Sequence, residues 1–362
     1  MNPTYLEFYV LIAFYYVLNF MQGGVLLGPS GLGRSEAYMK AIFPKNSLTL
    51  IDTVATLGLL FFLFMVGLEL DLKEIRRSGK IALIIALSGI AVPFVGGIGV
   101  ANLVRESLSL DTKFGPLVVF MGVPLSITAF PVLVRIMAER KLLATNLGKV
   151  VVPAAAINDV CAWILLAVGV ALSGPSSSPA TPAYVLISGL IFVLFMLFVM
   201  KRFMEWIAHR VEGQEVVSEI YVCITMMGVL LSGFTTDAIG IHPLFGAFVF
   251  GLIVPKEGTF AQMLIEKIED FVTVLMLPLF FASSGLKTNL GSINSAKSFG
   301  FLVLLVLIAG LGKISATVVV ALSIKLPLKE AFAFGFLMNT KGLVELIVLN
   351  IGKDLGVRLT SK

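Results

Sequence analysis

The chain has 362 residues, of which 58% are hydrophobic and 14% charged, and its mean hydropathy is +1.00. Soluble domains are about 45–50% apolar and about 25% charged, so the composition excludes a soluble globular protein and predicts a polytopic membrane protein. The net charge of +5 fits the basic loops of such a protein, and no nucleic-acid signature accompanies it. Cys161 and Cys223 both lie in apolar segments, which argues against a disulfide framework or a metal site. The N-terminus lacks the basic region and small-residue cleavage site of a signal peptide.

A membrane span needs about 20 mostly apolar residues. By that rule about eleven spans are predicted: 6–28, 51–71, 80–104, 115–137, 148–173, 181–203, 217–234, 240–255, 268–286, 298–324 and 329–352. They form one transmembrane domain over 1–352, followed by a short tail, 353–362. The hydrophobicity is continuous and does not alternate, so the spans are helices and not barrel strands. The fold class is an all-α polytopic membrane protein.

Basic loops mark the cytoplasmic side. The loop after the second span carries Lys73, Arg76, Arg77 and Lys80; the one after the fourth carries Arg140 and Lys141, flanked by Arg135 and Lys149. The loop after the sixth has Lys201, Arg202 and Arg210. GPSSSP (174–179) and FTTDAIG (234–240) have no basic residue, so GPSSSP faces out, as does 286–297 with only Lys287 and Lys297. This orientation puts the tail, with Lys353, Arg358 and Lys362, on the outside. A final span is therefore expected beyond position 352, and residues are expected to be missing near position 22, where the aromatic-rich first span runs abruptly into QGGVLLGPSGLG.

In chain order, the polar interruptions carry the chemistry. Glu69 and Asp71 sit at the cytoplasmic end of the second span and read as solvated. The fourth span, MGVPLSITAFPVLVRIM, places Pro124 and Pro131 around Ser126 and Thr128. A proline in a helix interior removes a hydrogen bond and clashes with the preceding turn. Two of them predict either a broken helix lining a cavity or a proline kink that only shapes packing. The fifth span carries Asn158 and Asp159 midway along an apolar run. A carboxylate at the bilayer centre costs about 2.5–3.5 kcal/mol on insertion scales, so Asp159 reads as an ion or proton site; the alternative is an inert, hydrogen-bonded carboxylate. His242 and Pro243, after Asp237, open a short Gly-rich span, as a helix start or a pH-sensing group. Lys313 lies deep in 298–324 beside Gly310, Gly312 and Ser315, and is either paired in the interior or snorkels to the cytoplasmic face. The last span has a polar waist of Asn339, Thr340, Lys341, Gly342 and Glu345. Lys341 and Glu345 share a face on a continuous helix, but a second broken helix is equally consistent. Two discontinuous helices, one per half, point to an inverted-repeat transporter with a midplane site.

The chain has no TVGYG filter, as a potassium channel would, and no P-loop for an ATP-driven pump. HExxH, GxSxG and CxxC are all absent, so an enzyme lacks support.

Four stretches carry a resemblance: SITAFPVLVRIMAERKLLATNLGKVVVPAAAINDVCAWILLAVGVALSG, TDAIGIHPLFGAFVFGLIVPKEGTFAQMLIEKIEDFV, LPLFFASSGLKTNL and MNTKGLVELIVLNIG. Together they resemble plant cation/proton exchangers of the CHX type, in the monovalent cation:proton antiporter-2 family, from about Gly24 to Asp354. The resemblance implies a sodium/proton-antiporter-like fold with inverted repeats and two crossed, unwound helices. It implies a secondary antiporter that exchanges a monovalent cation, K+ ahead of Na+, for H+. On this resemblance Asp159 carries cation and proton, with Asn158 beside it where electrogenic relatives have a second Asp, as in the electroneutral branch. The unwound segment falls on Thr128, Ala129, Phe130 and Pro131. The core basic residue falls on Lys313 before Lys341, with Ser126, Asn339, Thr340 and Glu345 as accessory positions. The resemblance further implies a homodimer in an endomembrane (vacuolar, prevacuolar or endosomal) or the plasma membrane. No cofactor and no resident metal are expected beyond the transported ion. Family members carry a longer N-terminus and continue past LNIGKD into a further helix and a cytosolic tail. Two other readings of the same scaffold stand beside the antiporter: a gated cation channel or uniporter, and an inactive pseudo-transporter.

Overall fold

The computed structural model describes residues 22–69, 79–108, 114–140, 142, 145, 147–173, 181–213, 217–288, 296–342 and 348. Among these the regular structure is helical. In chain order the helices are α1 (Glu36–Ile42), α2 (Lys45–Glu69), α3 (Gly79–Leu108), α4 (Phe114–Ser126), α5 (Phe130–Glu139), α6 (Gly148–Ser173), α7 (Thr181–Phe195), α8 (Lys201–Val211), α9 (Glu219–Ile239), α10 (Pro243–Ile253), α11 (Phe260–Asp270), α12 (Leu277–Leu286), α13 (Ala296–Leu307), α14 (Lys313–Ser323) and α15 (Leu328–Met338). Three π-helical segments, Met196–Met200, Phe271–Met276 and Ile308–Gly312, join α7 to α8, α11 to α12 and α13 to α14 without a break. Six helices of the described residues are long and apolar enough to cross a membrane, and Phe114–Ser126 and Pro243–Ile253 are shorter apolar helices. Their outward faces are greasy: Leu190, Ile191, Phe198 and Leu231 are all exposed, as a lipid-facing surface requires.

The expected spans map onto these helices closely at 148–173 and less so elsewhere. The fourth is two helices, α4 and α5, separated by non-helical residues 127–129. Pro131 falls in the first turn of α5, where a missing N–H leaves no bond unmade. In the last span, helix α15 ends at Met338, and residues 339–342 are not helical. This resolves both alternatives in favour of broken helices. The first span before residue 22, Asp71, Glu345 and the tail lie outside the described residues.

The chain divides into two compact units. One gathers Leu72–Pro182 with Ser292–Lys362, and so holds α3–α6 and α13–α15. In it α6 packs against α3, α4, α5 and α15, and α14 packs against α3 and α15. The other gathers Phe14–Asp71 with Ala183–Gly291. There α2 crosses α10 so closely that a Cβ on Gly251 would lie 2.2 Å from the Phe64 carbonyl oxygen. Lys256 seals that crossing, its ammonium donating to the Gly67 and Gly251 carbonyls at 2.8 Å each. At the other end of α2, Asp52 accepts from the Ser283 hydroxyl and pairs with Lys287 at 3.0 Å. His242 starts α10, its Nδ1 accepting from the Leu244 N–H at 3.4 Å, which is the helix-start reading of that residue. Glu69 ends α2 exposed.

Candidate functional site: the crossing of two broken helices

Each break leaves backbone groups without helical partners, since the last carbonyls of a helix and its first N–H groups have none within it. In the first unit the two breaks satisfy one another. The Ala129 N–H donates to the Thr340 carbonyl at 2.8 Å. The Thr128 hydroxyl donates to the Met338 carbonyl at 2.7 Å. Groups at the start of α5 thus cap the end of α15. The approach is tight: a Cβ on Gly342 would lie 2.7 Å from the Ala129 Cβ and 3.1 Å from the Val132 Cγ2.

The end of α4 is capped differently, by two lysines. Lys341 reaches from the second break to three carbonyls, those of Pro124 (3.1 Å), Leu125 (3.0 Å) and Ile127 (3.0 Å). An ammonium has three N–H donors, so one side chain matches three converging acceptors. Lys313 donates to the next carbonyl in the chain, that of Ser126. Its side chain is 0% exposed, so it does not snorkel. Its stem runs past Gly89 of α3, where an added Cβ would come within 4.0 Å of its Cε. Thr317, one turn on, donates to the Lys313 carbonyl at 2.8 Å. A helix C-terminus carries about half a negative charge, which is why two cations settle at the end of α4.

Asn158 and Asp159 come from α6, and both are buried, at 0% and 1% exposure. Asn158 ties α6 to the first break: its Oδ1 accepts from the Thr128 N–H at 2.8 Å, and its Nδ2 donates to the Ser126 carbonyl at 3.3 Å. Asn158 and Lys313 therefore share one acceptor, the Ser126 carbonyl. That places Lys313 beside the residue that precedes Asp159. A neutral amide suits this position because it donates to a carbonyl and accepts from an N–H at once, whereas a carboxylate could only accept.

The structure thus brings Asn158, Ser126, Thr128, Ala129, Thr340, Lys313 and Lys341 into one bonded cluster. Phe130 is buried beside it. Pro131 lies in the backbone of α5, and Glu345 is outside the described residues. Ser126 takes part through its carbonyl more than its hydroxyl, which donates back to Gly122 at 2.7 Å. Asn339 ends α15 with a buried Oδ1 that accepts no hydrogen bond among the described residues; its Nδ2 faces Gly310, in the π-helical turn before Lys313.

Sequence reasoning missed the carbonyls of Pro124, Leu125, Ile127 and Met338 as the acceptors that organise the site. The signal was present in part: a lysine three residues past a half-helix has few other places to put its charge.

Three comparisons bear on this geometry. A family model described as sodium/hydrogen exchanger, transmembrane, matches residues 12–360. The chain is 59% identical over 335 residues to Cation/H(+) antiporter 17 of Arabidopsis thaliana, covering 92% of this chain and 41% of that protein. It therefore spans well under half of that relative's length. It is 36% identical over 345 residues to the Na(+)/H(+) antiporter NhaS4 of a Synechocystis strain, covering 94% of this chain and 84% of that protein. Among solved structures, the sodium proton antiporter MjNhaP1 of Methanocaldococcus jannaschii superposes with a TM-score of 0.68, over 98% of this chain and 86% of that one, at 16% identity. That likeness shows the fold.

Proposed function

We propose that this chain, which belongs to the sodium/hydrogen exchanger transmembrane family and is an integral membrane protein, is a secondary antiporter that exchanges a monovalent cation for H+ at Asp159. The observation that carries the reading is a buried carboxylate next to Asn158, the residue tied to the first break where two broken helices cross. The likeness to the Arabidopsis cation/H(+) antiporter supports it, and in this reading K+ ranks ahead of Na+.

The mechanism follows from what one carboxylate can hold. Asp159 binds a proton or a cation, and each must leave before the other enters. Alternating exposure of Asp159 to the two faces turns that competition into exchange. Lys313 and Lys341 are occupied by carbonyls of the first break, so they hold the scaffold and set the local positive charge. Thr128 and Ala129 bond to α15's end and hold the two breaks against each other. The reading needs no cofactor and no bond-making chemistry, so the protein is a transporter and not an enzyme. It works as a homodimer in an endomembrane or the plasma membrane.

Asp159→Asn in proteoliposomes tests this. With the potential clamped and a pH gradient imposed, K+ or Na+ added outside dissipates the gradient through the parent chain. The variant reconstitutes equally well and leaves the gradient standing. Exchange that survives in Asp159→Asn removes the carboxylate from the mechanism, and cation flux without proton movement makes the protein a channel.

A further inference from the structure

Asp159 has a large neighbour that the mechanism above does not use. Trp163 lies four residues on along the unbroken helix α6, and it is 2% exposed, the largest of the fully buried side chains. Residues four apart on a helix lie on one face with Cβ atoms about 5–6 Å apart. Side chains on a helix lean back toward its N-terminus, which directs Trp163 along α6 toward the turn that carries Asp159. Ala155, Asp159, Ala162, Trp163 and Leu166 lie together within the broad buried side of α6, which also takes in Ala154, Ala156 and Asn158, while Ile164 is 48% exposed opposite them.

The indole Nε1 of Trp163 is buried and has no hydrogen-bond partner among the described residues. A buried donor in that state is an expensive group to keep, and buried tryptophan N–H groups ordinarily find an acceptor. Packing alone does not explain it, because a phenylalanine fills a core without a donor. An N–H cannot bind a cation, so what it can serve is an oxygen.

We infer, on the reading of Asp159 given above, that the Trp163 indole N–H is a positioning donor of the ion path, giving its hydrogen bond to an oxygen at the Asp159 site. That oxygen belongs to the ionised carboxylate or to a water that enters with the cation. In both cases the donor orients the oxygen ligands around the ion, and the ring closes the site on the side of α6 that runs toward Ser173.

The chain has two tryptophans, and the other, Trp206, is 51% exposed on α8 with Arg210 4.7 Å above its ring. Trp206→Phe therefore leaves Trp163 as the sole indole without touching the site. In proteoliposomes of this variant, K+ or Na+ shifts the indole emission. If the carboxylate is the acceptor, adding Asp159→Asn alters the emission before any cation is present. If water carried with the ion is the acceptor, emission changes only on cation addition and the change is lost with Asp159→Asn. Either pattern supports the inference. Trp163→Phe, which keeps a ring and loses the N–H, raises the KM for the cation about tenfold with little change in maximal rate. An emission silent to cation and to Asp159→Asn, together with an unchanged KM in Trp163→Phe, overturns the inference while leaving Asp159 in place. Exchange that persists in Asp159→Asn overturns the reading of Asp159 and the role of Trp163 with it.

Discussion

A single side chain, Lys341, shows how much of the site is made of backbone. Its three bonds go to carbonyls of the first break, 214 to 217 residues away in sequence. Lys341→Met leaves three carbonyls with one donor group fewer between them. Hydrogen bonds to a charged group are worth about 1.5–3 kcal/mol, and the variant is expected to lose about 2–4 kcal/mol in all. Thermal unfolding in detergent checks this: Lys341→Met melts several degrees lower, and Lys341→Arg recovers only part of the loss, because a planar fork does not reproduce a tripod of donors. That Asn158, Asp159 and Lys313 would be special polar groups within the helices was legible in the sequence, since a polar group in an apolar run stands out against its neighbours, and all three are buried. Which oxygens they touch was not. Every residue has a carbonyl, and only the fold selects those at the end of α4.

At the scale of elements, the crossing depends on how closely two non-helical turns approach. Gly342 faces Ala129 with no room for a methyl group. Gly342→Ala is therefore expected to force the breaks apart, strain the Ala129-to-Thr340 hydrogen bond and reduce exchange about tenfold or more, since small displacements at a site are costly. Adding Ala129→Gly removes the atom that the new methyl meets and restores much of the activity. A double-mutant cycle read on transport rate checks the pair; simple additivity of the two changes would contradict the contact. The broken helices were half legible. Pro124 and Pro131 announced an interruption, but a kink and a break share the same prolines until the pairing with residues 339–342 is seen. The π-helical turns at 196–200, 271–276 and 308–312 were not legible at all. Each widens one turn of a run whose hydrophobicity continues unchanged, so no periodicity marks it.

For the whole molecule, the unequal capping of the two helix ends is the organising feature. Backbone and hydroxyl donors from the start of α5 close the end of α15, while two ammonium groups close the end of α4. The apparent two-fold symmetry of a broken helix in each half therefore does not extend to charge. At the end of α4, Lys313 shares the Ser126 carbonyl with Asn158, the residue before Asp159. The membrane class was legible from composition alone. The division into two units, with all the site residues in one of them, was not, because that unit is assembled from stretches about a hundred residues apart.

Competition at one carboxylate is the central claim, and the concentration dependence of transport measures it directly. Initial cation-driven proton movement in proteoliposomes, taken as a function of cation concentration at a series of pH values equal on both sides, gives KM and maximal rate at each pH. The account predicts that KM rises as pH falls while the maximal rate at saturating cation stays constant, since enough cation always displaces the proton. A KM indifferent to pH, with a maximal rate that falls instead, would mean that proton and cation bind at separate places and would contradict the single-carboxylate mechanism.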